Sequence, residues 1–318
     1  MREYESRREF LWKAAGFAAG LAAVGAAGEG GKLKKALIVN VPTEDILARL
    51  KAAGFDGVEA GILDEAEAEK CRAGAEKLGM KIHSVLRGWA EFNSSDPALV
   101  ESTLELTRKA LRSAAAYGAD AVLLVPCKIG GTAMPRPWEF HIDFDPANGH
   151  IRRVTIGDNA PFEAYIAAHN HATDASRKAV EKLIPLAEEL RVVIALENVW
   201  NNLWVRPQIF RHFVESFKSP WVKAYFDIGN HVKYLAPEEW ILELGGLLAK
   251  CHVKDFLLDP EDSNGGGKFV NIREGSVRWP VVRAALDRAG YAGWMTIEGG
   301  ELSHEEHSRR LDLIIAGK

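Results

Sequence analysis

The most informative stretch of the sequence for the architecture reads Ala224-Tyr225-Phe226-Asp227-Ile228-Gly229-Asn230-His231. An apolar run of strand-forming residues ends there on a carboxylate. Three other runs have the same form and also end on an ionisable side chain: Ala195-Leu196-Glu197-Asn198, Cys251-His252-Val253-Lys254-Asp255 and Met295-Thr296-Ile297-Glu298-Gly299. Repetition of this pattern predicts parallel strands that deliver polar side chains to one common edge.

Around these four runs, short β-rich segments alternate with helical patterns from Lys35 onward. The predicted strands are 36–41, 57–62, 81–86, 121–127, 192–199, 222–228, 247–256 and 294–298. The predicted helices are 43–53, 64–78, 97–117, 174–190, 207–217, 237–244, 277–289 and 303–316. Eight strand–helix units predict an α/β fold, a (β/α)8 TIM barrel that forms a single domain over residues 35–318. A doubly wound open sheet is disfavoured because no GxGxxG follows the first strand.

Two segments interrupt the alternation. After the fourth strand, residues 141–145 and 151–156 flank Pro146-Ala147-Asn148-Gly149, which predicts an inserted β-hairpin. Since βα loops lie at the catalytic mouth of a barrel, this hairpin is expected either to overhang the site or to decorate the surface, for instance as an oligomer contact. After the seventh strand, Gly265-Gly266-Gly267-Lys268 lacks the spacing of a phosphate-binding loop and predicts a flexible lid.

Composition limits the classes of function. The 318 residues include 40 Lys plus Arg and 44 Asp plus Glu, for a net charge of −4, and 47% are hydrophobic. These values are typical of a globular protein, and the slight acidity argues against nucleic acid as a partner. The three cysteines, at positions 71, 127 and 251, are too few and too scattered for a disulfide framework or a CxxC metal site, so free thiols are expected.

The first thirty residues contain the three parts of an export signal. The pair Arg7-Arg8 precedes Phe10-Leu11, an apolar stretch covers residues 14–27, and small residues offer a cleavage site. This stretch is shorter than the roughly 20 residues that a membrane-spanning helix needs, so no stable membrane span is expected. The sequence therefore predicts a twin-arginine-type signal over residues 1–30 and a periplasmic or other extracytoplasmic location.

The candidate metal site consists of Glu197, Asp227, His252 and Glu298. Each residue ends a mostly apolar strand at the rim where barrel enzymes carry out their chemistry. Charged side chains are costly to bury unpaired, so four at equivalent positions indicate a cation between them. Three carboxylates and one imidazole suit Mn²⁺, Mg²⁺ or Co²⁺ better than structural zinc. One divalent cation is expected, with Mn²⁺ preferred and Mg²⁺, Co²⁺ and Zn²⁺ as alternatives.

In this order and spacing, the motifs resemble the xylose isomerase-like barrels, also called the sugar phosphate isomerase/epimerase superfamily. The resemblance extends from Lys35 to the end and rests on Ala-Leu-Glu197-Asn, Phe-Asp227-Ile-Gly-Asn, His252-Val-Lys-Asp, the turn at 273–279 and Thr-Ile-Glu298-Gly. It implies that the four residues hold one divalent cation, which grips two adjacent oxygens of an open-chain ketose. It also implies that Glu197 and Glu298 exchange the proton of the substrate carbon as acid and base.

These observations predict a metal-dependent isomerase or epimerase that acts on an unphosphorylated sugar or keto-sugar through an enediolate. Export favours a substrate without phosphate, since sugar phosphates are mainly intracellular. Two alternatives stay open: a lyase or hydratase of a keto-sugar or keto-inositol on the same site, and an exported carbohydrate-binding barrel without turnover. An endonuclease IV-like enzyme is disfavoured because Glu59 stands where its metal cluster would require a histidine. A carbohydrate is the expected partner, and a homodimer is a common assembly for such enzymes.

Further candidates surround the four ligands. Lys254 shares strand parity with His252 and is expected near a substrate oxygen or in a salt bridge to a ligand carboxylate. His231 is a candidate catalytic residue, although it lies four residues after Asp227, whereas the resembled epimerases carry their helper histidine three after. The candidate substrate-binding residues are Glu59, His83, Trp89 and Trp200.

These assignments have alternatives. Glu59 and His83 either reach the substrate or satisfy the polar rim of the barrel. Trp89, Trp200 and Trp204 form either an aromatic wall for a sugar face or simple hydrophobic cover. Asp255 is expected to orient its neighbours through hydrogen bonds. The remaining histidines considered, at positions 169, 171, 304 and 307, are expected to be solvated.

Overall fold

The computed structural model describes residues 32–259, 261–262 and 266–318. The predicted signal over residues 1–30 lies outside the described residues. The strands are β1 (Lys34–Val39), β2 (Gly57–Ala60), β3 (Lys81–Trp89), β4 (Ala121–Val125), β5 (Asp143–Phe144), β6 (Ile151–Arg153), β7 (Val193–Leu196), β8 (Val222–Asp227), β9 (Leu248–Val253), β10 (Asp255–Leu258), β11 (Gly267–Val270) and β12 (Trp294–Ile297). The α-helices are α1 (Glu44–Ala52), α2 (Glu65–Lys77), α3 (Pro97–Tyr117), α4 (Glu163–Glu181), α5 (Ile184–Leu190), α6 (Pro207–Glu215), α7 (Pro237–Leu244), α8 (Trp279–Arg288) and α9 (His304–Ile315).

Eight parallel strands close into a barrel in the order β1, β12, β9, β8, β7, β4, β3, β2. Each predicted strand contributes to this barrel, so the prediction of a single-domain TIM barrel is confirmed. The four strands that carry the predicted ligands are consecutive neighbours, β12, β9, β8 and β7. Their register places Asp227 directly opposite His252. This adjacency is what allows four residues distant in sequence to share one site.

The helix ends follow from local sequence. In α3, the Asp96 side chain accepts a hydrogen bond from the Ala98 backbone N–H at 2.9 Å, and Pro97 occupies the first helical position. Gly118 ends this helix with φ of 71°, a left-handed conformation that glycine adopts without steric cost. The predicted helix 174–190 differs most, because α4 begins at Glu163 and ends at Glu181, and a separate helix, α5, follows.

Apolar side chains pack on both faces of the barrel strands. The larger cluster joins the strands to the surrounding helices and includes Val58, Leu124 and Phe226. The smaller cluster fills the barrel interior and consists of Ala121, Leu123, Val125, Ala195 and Tyr225. Since successive residues of a strand point to opposite faces, a residue two positions after an interior residue also points inward. Ala195 and Tyr225 thereby place Glu197 and Asp227 at the open end of the interior.

The predicted hairpin after β4 is confirmed. β5 and β6 pair antiparallel, with Asp143 opposite Arg153. Its contacts lead to the helical layer, because Asn170 on α4 bonds the backbone N and O of Ile151 at 2.8 and 3.0 Å. Phe144 also packs on His212 of α6, with ring centroids 5.1 Å apart. These contacts favour the interpretation of the hairpin as a surface element over that of a cover for the site.

A second hairpin follows β9 and was not predicted. The sequence predicted one continuous strand over 247–256, but the strand is interrupted at Lys254, and β10 then pairs antiparallel with β11. Gly267 and Lys268, predicted to belong to a flexible lid, lie within β11. Because they pair with Leu258 and Leu257, this part of the predicted lid is a strand of the hairpin, and its flexibility stays a prediction.

Two further predictions concern the chain as a whole. Within the described residues, none of the helices combines the length and the apolar character needed to cross a bilayer. Cys71, Cys127 and Cys251 are free thiols, as predicted.

Candidate active site

Glu197, Asp227, His252 and Glu298 meet at the carboxyl end of the barrel. Each offers one ligand atom, and these atoms all lie within 4.8 Å of one another. Glu197, Asp227 and His252 are buried, while the Glu298 side chain is 33% exposed. The four residues, here called the quartet, thus form one cluster that opens toward solvent beside Glu298.

The donor atoms of the quartet fit a divalent cation. Within the described residues, Asp227 Oδ2 is buried and accepts no hydrogen bond, although Lys254 Nζ lies 3.4 Å away. His252 Nδ1 lies 2.9 Å from Glu298 Oε2 without the geometry of a hydrogen bond. Each of these two buried atoms has an ion-pair contact but no hydrogen bond to the described residues, and buried polar atoms that lack a hydrogen bond are costly. Carboxylate oxygens and an imidazole nitrogen that converge on one point are suitable ligands for Mn²⁺, Mg²⁺ or Co²⁺.

Glu59 lies against the opposite side of His252. Glu59 Oε2 is 2.6 Å from His252 Nε2, and its two oxygens also accept hydrogen bonds from Ser84 Oγ at 2.8 Å and Tyr225 OH at 3.2 Å. Glu59 is fully buried. This placement corrects its assignment as a substrate-binding residue, because its oxygens are engaged by the protein. The contact with Nε2 instead leaves Nδ1 of His252 facing the rest of the quartet.

Lys254 lies beside the quartet, as predicted. Its Nζ is 2.8 Å from Glu298 Oε1 and 3.4 Å from Asp227 Oδ2. This position agrees with the predicted salt bridge to a ligand carboxylate, and contact with a substrate oxygen stays a prediction. Gly229 makes the close approach possible, because a Cβ at this position would lie only 2.7 Å from the Lys254 carbonyl oxygen.

Asn230 is a site residue that sequence reasoning did not single out. Its backbone N–H donates to Asp227 Oδ1 at 2.8 Å, and its Nδ2 lies 3.5 Å from Glu197 Oε1. Its Oδ1 lies 3.5 Å from Lys254 Nζ. Asn230 therefore occupies the position three residues after Asp227 where the helper histidine was expected. This spacing of three residues after Asp227 is the feature of the sequence that could have identified Asn230 as a site residue.

His231 does not reach the quartet, and its assignment as a catalytic residue is wrong. Its buried ring stacks on Phe226 at 5.3 Å and packs on Trp240 at 4.1 Å between centroids. Phe226 points outward from β8, because its neighbours Tyr225 and Asp227 point inward. His231 therefore lies in the helical layer, where burial lowers its pKa to about 3.

His83 lies inside the barrel and away from the mouth. Its Nε2 lies at hydrogen-bond distance from Thr296 Oγ1, 2.9 Å, and its ring stacks on Trp294 at 4.4 Å. Trp294 is the first residue of β12, so His83 lies toward the amino ends of the strands. Burial lowers its pKa well below the ordinary value. The alternative of a structural role thus replaces the predicted contact with substrate.

The three tryptophans occupy different environments. Trp89 is 46% exposed at the end of β3, where Lys128 Nζ lies 5.7 Å from its ring centroid. Trp200 is partly buried, and its Nε1 donates to the Asn230 carbonyl at 2.7 Å. Trp204 is fully buried and stacks on Phe213 at 4.1 Å, so it belongs to the core. Trp89 and Trp200 remain candidates for an aromatic wall, whereas Trp204 provides hydrophobic cover.

Other polar residues also differ from the sequence-based expectations. His169 and His307 are buried and not solvated, while His171 is exposed and His304 partly exposed. His169 Nε2 accepts a hydrogen bond from the Trp204 backbone N–H at 3.2 Å. Asp255 accepts hydrogen bonds from the backbone of residues 273, 275 and 277 and from the Trp279 ring. Asp255 therefore fixes the 273–279 turn and not the quartet.

The environment of the quartet shifts the pKa values of its two glutamates in opposite directions. Burial, followed by the neighbouring carboxylates, raises the pKa of Glu197 to about 8. Burial would also raise the pKa of Glu298, but contacts with His252 and Lys254 outweigh it and hold that pKa far below its usual range. Burial alone would lower the pKa of His252, yet the carboxylates of Glu59 and Glu298 raise it well above its ordinary value. Two glutamates with oppositely shifted pKa values are a typical arrangement for an acid and a base.

The closed barrel with a polar centre at the carboxyl ends of its strands defines a TIM-barrel protein. Within that class, the chain belongs to the xylose isomerase-like TIM barrel family, whose model matches residues 47–312. Among curated proteins, none matches the sequence at a significant level.

Solved structures with the same fold include several epimerases. A 3-keto-D-glucoside 4-epimerase from E. coli is similar with a TM-score of 0.66 and 13% identity, covering 90% of this chain and 100% of the other. A D-allulose 3-epimerase from Methylomonas sp. gives a TM-score of 0.64 at 18% identity, covering 91% and 99%. A xylose isomerase domain protein from Planctomyces limnophilus gives 0.62 at 15%, covering 90% and 97%. At such identities the likeness establishes the fold.

Proposed function

We propose that this protein is a divalent-metal-dependent epimerase or isomerase of an unphosphorylated keto-sugar. The observation that carries the proposal is the quartet, whose ligand atoms lie within 4.8 Å of one another at the mouth of the barrel. Membership of the xylose isomerase-like family and the presence of epimerases among the structural neighbours support the same chemistry. Glu197, Asp227, His252 and Glu298 would hold the cation. When bound there, the cation supplies Lewis acidity that stabilises negative charge on neighbouring substrate oxygens.

The positions of the two glutamates support a role in proton transfer. Glu197 follows β7 and Glu298 follows β12, the outer strands of the four that carry the quartet, while Asp227 and His252 lie between them. A substrate carbon over the centre therefore has one glutamate on either side. Removal of its proton by one carboxylate and return by the other inverts the configuration. Lys254 Nζ, 2.8 Å from Glu298 Oε1, stabilises the ionised form of that glutamate.

Deuterium exchange tests the proposal. The protein loaded with Mn²⁺ is incubated in deuterated water with a panel of free ketoses and keto-glycosides, and the products are analysed by NMR. We expect deuterium at a carbon next to the carbonyl, together with a new epimer or isomer. A product that has lost water would assign the protein to the lyases instead. Absence of exchange with every sugar, despite bound metal, would contradict the proposed enzyme and favour the carbohydrate-binding alternative.

Metal content is the first measurement. We expect about one equivalent of a divalent cation after reconstitution, because the quartet offers one compact set of four donors. His252→Ala removes the imidazole and is expected to lose most of this metal. His171→Ala is a matched control, because His171 is exposed on α4. Equal metal content in all three proteins would contradict the assigned site.

We also propose that residues 1–30 direct export through the twin-arginine route. The support is the order of the paired arginines, Phe10-Leu11 and the apolar stretch. A fusion of residues 1–30 to a reporter that works only after export should be active outside the cytoplasm. The double substitution Arg7→Lys and Arg8→Lys should abolish that activity, and unchanged export of the double variant would contradict the proposal.

A further inference from the structure

We propose that Phe269 forms, with Trp200 and Phe256, a subsite that binds the second ring of a glycoside whose first ring reacts at the quartet. The inference rests on the proposed function and specifies its substrate class. The preferred substrate would be a keto-sugar that carries a sugar or aromatic ring as its aglycone, and not a free ketose.

The three aromatic side chains form a compact group at the mouth. The Trp200 and Phe269 rings are stacked at 5.1 Å between centroids, and Phe256 meets them edge-on at 5.5 and 5.2 Å. Phe256 is buried, whereas Phe269 is 44% exposed. The Phe269 ring is thus supported by two aromatic neighbours while a large part of the residue stays exposed to solvent. Rings held in this way are suited to stacking on another ring.

The group is continuous with the quartet. Lys254 Nζ lies 2.8 Å from Glu298 Oε1 and 4.9 Å from the Phe269 ring centroid, so a single ammonium contacts both. On the other side, Trp200 Nε1 donates to the carbonyl of Asn230, whose Nδ2 lies 3.5 Å from Glu197 Oε1. The exposed ring is therefore one side chain away from the reacting centre, where the next ring of a bound glycoside would lie.

Phe269, and not Trp200, provides the free surface. Phe269 is 44% exposed, whereas Trp200 is partly buried, with Lys233 Nζ 3.6 Å from its ring centroid and Phe269 stacked on the same indole. Single exposed apolar residues need no explanation. Phe269 differs because it belongs to an aromatic group beside a polar centre, and small-molecule sites commonly combine aromatic side chains with a few polar groups.

The hairpin itself offers a matched control. Phe269 lies opposite Phe256 in the β10–β11 pairing, and Leu257 lies opposite Lys268. Successive residues of a strand alternate between faces, so Leu257 is on the face of the hairpin away from Phe256 and Phe269. Leu257 is 39% exposed, close to the value for Phe269. Leu257→Ala removes an equally exposed apolar side chain of the same hairpin without altering the aromatic group.

The test measures binding to the full-length, Mn²⁺-loaded protein by calorimetry. The probes are p-nitrophenyl β-D-glucopyranoside, with two rings, and methyl β-D-glucopyranoside, with one. The wild type should bind the two-ring probe about tenfold more tightly, the gain typical of one aromatic stacking contact. Phe269→Ala should abolish this advantage and leave binding of the methyl glucoside unchanged. Phe269→Tyr, which keeps a flat ring, and Leu257→Ala should both retain the tenfold advantage.

Three outcomes would overturn the subsite. They are equal affinity of the wild type for both probes, absence of binding of either, and an equal loss of both affinities in Phe269→Ala. Failure of the proposed function has a separate signature, the absence of deuterium exchange. Tighter binding of the two-ring probe without deuterium exchange would retain the subsite and reject the proposed enzyme. Deuterium exchange with equal affinity for the two probes would retain the enzyme and reject the subsite.

Discussion

The eight barrel strands form two halves. Both halves bury ionisable side chains, but these side chains have different roles in each half. β7, β8, β9 and β12 are consecutive neighbours and carry the quartet at their carboxyl ends. The other half, β1 to β4, also buries ionisable side chains, Glu59 on β2 and His83 on β3. The quartet of the first half converges on one common point. The second half uses its groups to hold other residues in place.

Glu59 and Asp227 show what separates the two roles. Both are carboxylates with no exposed surface. The oxygens of Glu59 accept hydrogen bonds from Ser84 and Tyr225 and lie at hydrogen-bond distance from His252 Nε2. Asp227 Oδ2, by contrast, accepts no hydrogen bond within the described part of the chain. A carboxylate whose oxygens already accept hydrogen bonds from the protein has few lone pairs available for a cation. A carboxylate with an oxygen that accepts no hydrogen bond can still coordinate one. Hydrogen bonding, and not burial or charge, therefore distinguishes a candidate ligand from a supporting residue.

The largest effect is expected in the first half. Glu298→Gln keeps the size of the side chain but removes both the acid–base group and the charge that pairs with Lys254 and His252. Turnover, measured by deuterium exchange, should fall about 100- to 10,000-fold. Glu301→Gln is the control, because Glu301 is an exposed glutamate in the same loop. Near-normal exchange in Glu298→Gln would remove this residue from the mechanism.

The next largest effect is expected on metal affinity, and it allows a direct comparison of the two halves of the barrel. Asp227→Asn should remove a ligand, whereas Glu59→Gln should only weaken the support of His252. For Glu59→Gln we expect a loss of about 10- to 100-fold in Mn²⁺ affinity, the usual range for residues that orient a metal-bound histidine. Titration calorimetry with Mn²⁺ measures both variants independently of turnover. Ser84→Ala, which removes one of the donors to Glu59, should have a smaller effect. Metal affinity unchanged in Glu59→Gln would break the distinction between ligand and support.

The first half was largely predictable from the sequence. Its strands are continuous apolar runs, and period-two alternation places Glu197, Asp227 and Glu298 on the interior face without any knowledge of the loops. The contact between Glu59 and His252 spans 193 residues. Local pattern contains no information about such a pairing, because it depends on the way in which the barrel closes.

The loops at the mouth were less predictable. His231 follows Asp227 closely in sequence, but its direction depends on the path of the chain through Gly229, where the Lys254 backbone packs. The interruption of the seventh strand at Lys254 and the hairpin that follows depend on cross-strand pairs such as Phe256 with Phe269. In α4, the segment 163–173 joins the helix because Tyr165, His169 and Thr173 are buried against the core, a tertiary effect that helical propensity alone does not show.

A third effect concerns pH. Burial raises the pKa of Glu197 to about 8, so below that pH the folded protein holds a proton that a cation must displace. Mn²⁺ affinity should therefore rise as the pH increases from 6 to 8, by about tenfold per unit for each proton released. Calorimetry in buffers of different ionisation enthalpy counts these protons, and Glu197→Gln should release one fewer. Affinity independent of pH in this window would contradict the protonated state of the quartet.

The smallest effect on function is expected for His83, which the sequence placed in the substrate site. His83→Gln preserves a polar atom for Thr296 but loses the ring stacking on Trp294 at the amino end of the barrel. The ring centroids of His83 and Trp294 are 4.4 Å apart. Exchange rates and Mn²⁺ affinity should stay within about twofold, while the free energy of unfolding falls by about 1 to 2 kcal/mol. Guanidinium unfolding of the metal-free protein measures the second quantity. A tenfold rise in KM with unchanged stability would return His83 to the substrate site and show that the second half does more than support the first.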